Sequence, residues 1–303
     1  LNQGWGKAAT GEQAMTGNTG NTGNTGNTGN TGNLGGDGWI VADRADLPFI
    51  AEPGLAAKRV SPTPATANLV KLTAPPRDWS AFWAAWPTLV EFSQETVTGW
   101  RAAAEAAVLP LLPPDANAVQ AEIDALIIAA MDERAEALGE ILAQDADFVG
   151  EFVGLLGASP HGHPHSFRLL FAASLIGQFA AMHCKAVHNK IRPPRLCPAL
   201  LPPVPVPGHP SFPSGHATQA HLMAEMVAAI LPASMAPLGD VLRARAARIA
   251  RNREIAGLHF RSDSAAGHAL AIAMAAILRD PARMPVFADT VKGTIAGAKA
   301  EWA

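Results

Sequence analysis

Three short stretches of this chain hold side chains whose types and spacing suit one chemistry, the binding and activation of a tetrahedral oxyanion. The first is KAVHNKIRP, Lys185 to Pro193. Lys185 and Arg192 are seven residues apart, which on one continuous helix sets two cations on the same face, about two turns apart. No acidic side chain lies on that stripe to neutralise them. The second stretch is Pro213-Ser214-Gly215-His216, at the start of an apolar helical run. A helix N-terminus carries free backbone N–H groups, Ser214 adds a hydroxyl, and Gly215 lets an anion approach the backbone closely. His216 stands beside them as an acid–base group, because an imidazole titrates near neutrality. The third stretch is NREIAGLHFRSD, Asn252 to Asp263. Arg253 is a further cation. His259 and Asp263 are four apart, so the carboxylate can accept from one ring nitrogen and leave the other free as a nucleophile or a metal ligand. Gly257 permits the bend that turns Arg253 and His259 toward a common point. Read one at a time, these are equally a solvated basic face, a capped helix start and a His–Asp pair at a helix end. Their joint presence argues for a site.

Helices must position these groups. Trp79, Phe82, Trp83 and Trp86 recur at helical spacing from Asp78 onward and read as core. A helix is expected over Asp115 to Gln144, capped by Asp115, with Val119, Ile123, Ile127, Met131, Leu138 and Leu142 on its buried face. Further helices are expected over Phe167 to Arg192, from Pro213 or Ser214 to before Pro232, over Val241 to Ala256, and over Asp263 to Leu278. No convincing alternating strand pattern occurs. The expected fold class is all-α, a helical bundle. The segment Pro193 to Pro213 holds nine prolines, which reduce the entropy lost in fixing a pocket wall.

The chain divides in two. Residues 78–303 carry the helical signals, whereas residues 1–77 read as a low-complexity, loop-like N-terminal arm. From Thr16 to Asn33 the triplet Thr-Gly-Asn occurs six times, with no apolar side chain to bury. Hydrophobic residues make up 49% of the whole and the formal net charge is −3, a balance unsuited to a general nucleic-acid binder. The apolar runs Leu169–Met182, Ala217–Leu231 and Ala269–Leu278 are interrupted or too short for a membrane span and read as buried helices, so a soluble protein without a transmembrane span is expected. No signal peptide is visible and the chain starts at Leu1, which leaves export open. Cys184 and Cys197 fit no zinc pattern; they form one bridge or two free thiols. The histidines of HGHPHS, His161 to His165, read as a polar loop rather than a metal site for want of a fourth ligand.

Taken together, Lys-x6-Arg-Pro, Pro-Ser-Gly-His and Arg-x5-His-x3-Asp resemble the three-part signature of the type 2 phosphatidic acid phosphatase (PAP2) and vanadium haloperoxidase superfamily. Ten positions match, which at about 5% usage per residue makes coincidence on the order of one in ten million. The resemblance implies a helical bundle of that type with one oxyanion pocket. It implies that Lys185, Arg192, Ser214, Gly215 and Arg253 bind vanadate or phosphate. It makes His216 the acid–base group and His259, oriented by Asp263, either the vanadium ligand or a nucleophile that forms a phosphohistidine. Around the second motif, HPSFPSGHATQ is similar to algal bromoperoxidases, which also carry a histidine seven positions before the acid–base histidine. Here that residue is His209, with Phe212 nearby, and both are halide-site candidates. Met182 departs from the tryptophan common in haloperoxidases, and Asn252 from the serine of the phosphatase motif. The expected activity is vanadate-dependent oxidation of bromide or iodide by hydrogen peroxide. The alternative is a soluble acid phosphatase or phosphotransferase acting on a phosphomonoester. An interaction protein with a degenerate pocket ranks last, because no signature residue is lost.

A segment such as Thr16–Asn33 has nothing with which to build a core, so it reads as a flexible arm or, if ordered, as a strip packed along a surface, with arm exchange in a homo-oligomer as one such arrangement. Deleting residues 1–38 should change solution mass or melting temperature more than turnover; unchanged mass and melting on light scattering and calorimetry exclude the bridging role.

Overall fold

The computed structural model describes residues 79–303; the arm expected over residues 1–77 lies outside the described residues. The described part is helical, with no strand among the described residues. Its centre is α7, Pro164–His188, a 25-residue helix buried on nearly every side. A helix apolar all round belongs inside a protein or in a bilayer. The stretch Pro164–Leu196 is long and apolar enough to cross a membrane, yet 78% of its most apolar window is buried within the protein. Pro164 opens α7 at a position where its missing N–H is not needed. The far C-terminus closes that end: the Glu301 carboxylate accepts from the backbone N–H groups of His165 and Ser166 at 2.7 and 2.8 Å. Trp302 stacks on His163 and donates to Ser166.

Three helices surround α7 and carry the chemistry. These are α9, Gly215–Ala228; α10, Ala236–Ile255; and α11, Arg261–Leu278. α9 packs against α7, α10 and α11. The approach of α9 to its neighbours depends on glycines. A Cβ on Gly177 of α7 would sit 3.0 Å from the Gln219 Cα, and one on Gly267 of α11 would sit 2.8 Å from both the Ser214 carbonyl oxygen and the Ala217 Cβ. α1, Ala81–Phe92, packs on α7, and α3, Trp100–Val108, packs on α11; between them lies the one-turn α2, Glu95–Thr98. α4, Ala116–Asp132, and α5, Arg134–Ala146, pack on α10. Short helices α6, Val149–Leu156; α8, Pro193–Leu196; and α12, Thr294–Ala300, complete the bundle.

Three expectations need correction. Trp79, Trp83 and Trp86 are exposed and only Phe82 of that group is core; the buried stripe of α1 is Phe82, Ala85, Thr88 and Phe92, and Trp83 and Trp86 stack on one another beside it. The single helix expected from Asp115 is two, broken at Glu133, although Asp115 does cap it by accepting from the Ala118 N–H at 2.9 Å. The break is held by Arg134, whose guanidinium donates to the carbonyls of Ile255, Leu200 and Leu201. The buried stripe keeps one phase through the break and lies about one residue from the expected face, so Leu126, Ala129, Ala137 and Ile141 turn inward while Ile127, Met131, Leu138 and Leu142 stay exposed. α7 ends at His188, because Asn189 adopts φ 46° and its N–H closes on the Lys185 carbonyl at 2.9 Å, a conformation asparagine tolerates. Lys185 and Arg192 therefore do not share a helix face. Cys184 and Cys197 are both free thiols.

Replacing Gly267 with alanine puts a methyl group onto backbone oxygen that cannot move aside. Gly267→Ala should lower stability by about 1–3 kcal/mol and weaken anion binding by displacing Ser214; thermal unfolding and calorimetric titration with phosphate measure the two effects.

Candidate active site

Lys185 sits on the last turn of α7, its side chain fully buried. Its ammonium donates to the carbonyls of Pro210 and Ser211 at 2.7 and 2.8 Å. Burial and, after it, the neighbouring Arg192 push its pKa well below the ordinary lysine value. Arg192 reaches the same place from extended backbone just before α8. Its Nε donates to the His209 carbonyl at 2.7 Å and its Nη1 to the Leu258 carbonyl at 3.0 Å. Burial lowers its pKa to about 10. The proline-rich segment thus presents carbonyls that aim two cations, which is the structural use of its stiffness.

Arg253 occupies the last turn of α10 and is 1% exposed. Its Nη2 donates to Asp145 of α5 at 3.2 Å, while Nε and Nη1 are buried without a partner. Gly257, at φ +76°, turns the chain after α10, and His259 follows in the loop before α11. The His259 Nδ1 lies 3.2 Å from the Asp263 carboxylate. The Arg192 Nη1 lies 3.4 Å from the His259 Nε2. Guanidinium nitrogens only donate, so Nε2 is the acceptor and the ring hydrogen is on Nδ1, shared with Asp263. Nε2 keeps a lone pair facing the cations.

α9 begins where these groups meet. Ser214 is its N-cap and accepts from the Ala217 N–H at 3.4 Å, and the Ser214 N–H is held by the Asp263 carbonyl at 2.9 Å. Gly215 follows with its backbone against Gln178. His216 is buried against the Phe148 ring, with centroids 4.9 Å apart. One ring nitrogen bonds the Gln144 backbone and Nε2 is buried without a partner. The Gln144 carbonyl can only accept, so the His216 Nε2 is also a bare lone pair. Burial, then Arg253 and His259, hold its pKa well below the usual histidine value. His259 is lowered in the same sense by burial, Arg192, Lys185 and Arg253. Each imidazole feels the charges of the others' neighbours, which brings Lys185, Arg192, Arg253, His216 and His259 to one locus.

His209 also comes to this locus. Its Nδ1 lies 3.1 Å from the Arg192 Nη2 and 3.1 Å from the Pro210 carbonyl. The guanidinium needs a lone pair on Nδ1 and the carbonyl needs a hydrogen there, so each tautomer satisfies one of the two contacts; Nε2 is buried and unpartnered. Burial, Lys185 and Arg192 bring its pKa down to about 4. Phe212 does not join it. The Phe212 ring is fully buried in the main core and packs on His188 and near Lys190.

Sequence reasoning missed Gln144, Asp145 and Phe148. They belong to the end of α5 and the turn after it, more than 60 residues before the second motif, and no local pattern marks them. Among the described residues there is no cluster of three or more His, Cys, Asp or Glu able to hold a metal ion. A cavity of about 1070 Å³ lies between α4, α9, α10 and α11, beside the stacked pair His221 and His268, but none of the signature residues lines it. The signature residues converge elsewhere, around Lys185, Arg192 and Arg253. Residues 167–281 match the family model of the PAP2 superfamily. No curated protein matches the chain.

Buried, neutral His209, His216, His221 and His259 set a pH dependence. Their folded pKa values lie below the unfolded value of about 6.5, so the unfolded chain binds more protons once the pH falls through it. Stability should fall from about pH 6.5 toward pH 4, by up to about 1.4 kcal/mol per pH unit for each group. Phosphate, by adding negative charge, should flatten the slope; melting curves against pH with and without phosphate test both statements.

Proposed function

We propose that this chain, whose residues 167–281 belong to the PAP2 superfamily of phosphatase- and haloperoxidase-type enzymes, is a vanadate-dependent haloperoxidase that oxidises bromide or iodide with hydrogen peroxide. The observation that carries the choice is His209. Its buried, unpartnered Nε2 adds a titratable ring nitrogen beside Arg192 that phosphoryl transfer does not require.

The pocket fits a tetrahedral oxyanion. Lys185, Arg192 and Arg253 are 0%, 4% and 1% exposed, and burying like charges together is unfavourable unless an anion compensates. Arg253 has two donors without partners, and the His216 Nε2 is equally unsatisfied. Vanadate would be held by the His259 Nε2, with Lys185, Arg192, Arg253, the Ser214 hydroxyl and the Gly215 N–H on its oxygens. When bound, it supplies a Lewis-acidic centre that activates peroxide. Asp263 keeps the His259 Nε2 unprotonated and in place. His216, with its lone pair at Nε2, accepts a proton from incoming peroxide. His209, in the tautomer whose Nδ1 accepts from Arg192, carries hydrogen at Nε2 and donates a hydrogen bond to the oxygen that leaves. The overall reaction joins halide, hydrogen peroxide and one proton to give hypohalous acid and water, so a donor and an acceptor on opposite imidazoles suit its proton traffic. The negative charge of a bound anion raises the pKa of both rings and brings them toward the working pH.

A phosphatase would use the same His259 lone pair to attack phosphorus and the same His216 to serve the leaving oxygen. The decisive assay loads metal-free protein with vanadate, adds peroxide and bromide, and follows bromination of a phenol dye. His259→Ala should abolish halogenation and vanadate binding. His216→Ala should slow it by about 100-fold or more with vanadate still bound. His209→Ala should slow halide oxidation and leave vanadate affinity within a few fold. Hydrolysis of a phosphomonoester, inhibited by vanadate and without halogenation in either halide, would establish the phosphatase reading instead.

A further inference from the structure

The carboxylate that orients His259 is itself held from behind. Asp263 is fully buried. Its Oδ2 accepts from the Phe260 N–H at 2.9 Å and faces the His259 Nδ1. Its Oδ1 accepts from the Lys190 ammonium at 2.9 Å. Lys190 also donates to the Ser262 hydroxyl at 2.8 Å and lies 4.1 Å from the centre of the Phe260 ring. Glu122 of α4 stands 3.8 Å behind the ammonium and accepts from the Ser262 N–H and hydroxyl at 2.6 and 2.8 Å. Every group in this line is fixed by at least two others, and the line runs from the pocket wall to a helix outside residues 167–281.

We infer that Lys190 is a positioning residue of the oxyanion site. By holding the Asp263 Oδ1 it fixes the carboxylate plane, so that Oδ2 keeps the hydrogen of His259 on Nδ1 and the Nε2 lone pair points into the pocket. Lys190 follows the Asn189 cap that ends α7, two residues before Arg192. The turn that directs Arg192 to the anion also directs Lys190 behind His259, so one break in the helix supplies both faces of the site. Without the ammonium, Oδ1 is a buried anionic oxygen with no donor, and the carboxylate plane is held only through Oδ2 by the Phe260 N–H and His259. The inference rests on the oxyanion reading of the pocket but not on which of the two reactions occurs there.

The test measures vanadate and phosphate binding by calorimetry in the full chain, alongside the ring-nitrogen NMR signals of His259. Lys190→Met should weaken binding of both anions by about 10- to 100-fold, the range for groups that orient a ligand from behind, and should shift His259 away from a bare Nε2. Lys190→Arg, which retains charge and donors, should recover most of the affinity. Equal affinity in Lys190→Met and wild type, or a Lys190→Arg variant no better than Lys190→Met, overturns the inference. If Lys190→Met does not fold, Lys190→Gln replaces it: a loss that arginine reverses is expected, and no loss overturns it. A wild-type protein that binds neither anion sinks the oxyanion reading, and the His259 signals in the variants still decide whether Lys190 sets the tautomer.

Discussion

Lys185, Arg192 and Arg253 are buried within reach of one another and of two neutral imidazoles. Water cannot solvate them, so every other group in the site is arranged to hold them against their mutual repulsion. The carbonyls of His209, Pro210, Ser211 and Leu258 do most of this work. Carbonyl oxygens carry only partial charge and satisfy donors without cancelling the field. Among the described residues Asp145 is the carboxylate paired directly with these cations, and the fully buried carboxylate of Asp263 is turned to His259 and Lys190. The result is a pocket that stays positive until an anion enters.

Close helix packing is what lets this constellation be small. α9 lies against α7 and α11 at glycines, and the Ser214 N–H is tied to the Asp263 carbonyl. Two of the three motifs are thereby joined through backbone as well as side chains. α5 then supports the same two from outside: the Gln144 backbone holds His216 and Asp145 holds Arg253. Next to them, Asn252 donates to Glu140 and Gln144. This amide replaces the serine usual in the phosphatase motif and fastens α10 to α5 directly behind the pocket.

The field of the cations reaches His209 and His216 differently. His216 spends one ring hydrogen on the Gln144 carbonyl, whereas the half-buried His209 meets both a guanidinium and a carbonyl at Nδ1. The Nε2 of His216 is consequently an acceptor, and that of His209 follows whichever neighbour Nδ1 serves. The identity of the first neighbour decides the role of the ring, and that neighbour is a matter of folding rather than of residue type.

The spacing of the three motifs, the Asp115 and Ser214 caps and the courses of α9, α10 and α11 were legible in the chain alone, because each depends on neighbours within a few residues. Lys-x6-Arg-Pro, by contrast, suggested one helix face, while the structure ends α7 at Asn189 and brings Arg192 in from extended backbone. The apolar period across residues 115–144 ran straight through Glu133, where Arg134 binds carbonyls 66 and 121 residues away and ends one helix to start the next. Lys190 behind Asp263, Asp145 on Arg253 and the Gln144 backbone on His216 carry no local mark for the same reason. Residue chemistry is written along the chain, but which cation meets which carbonyl or carboxylate is set by packing between distant helices, and helical periodicity holds no information about a contact made across a hundred residues.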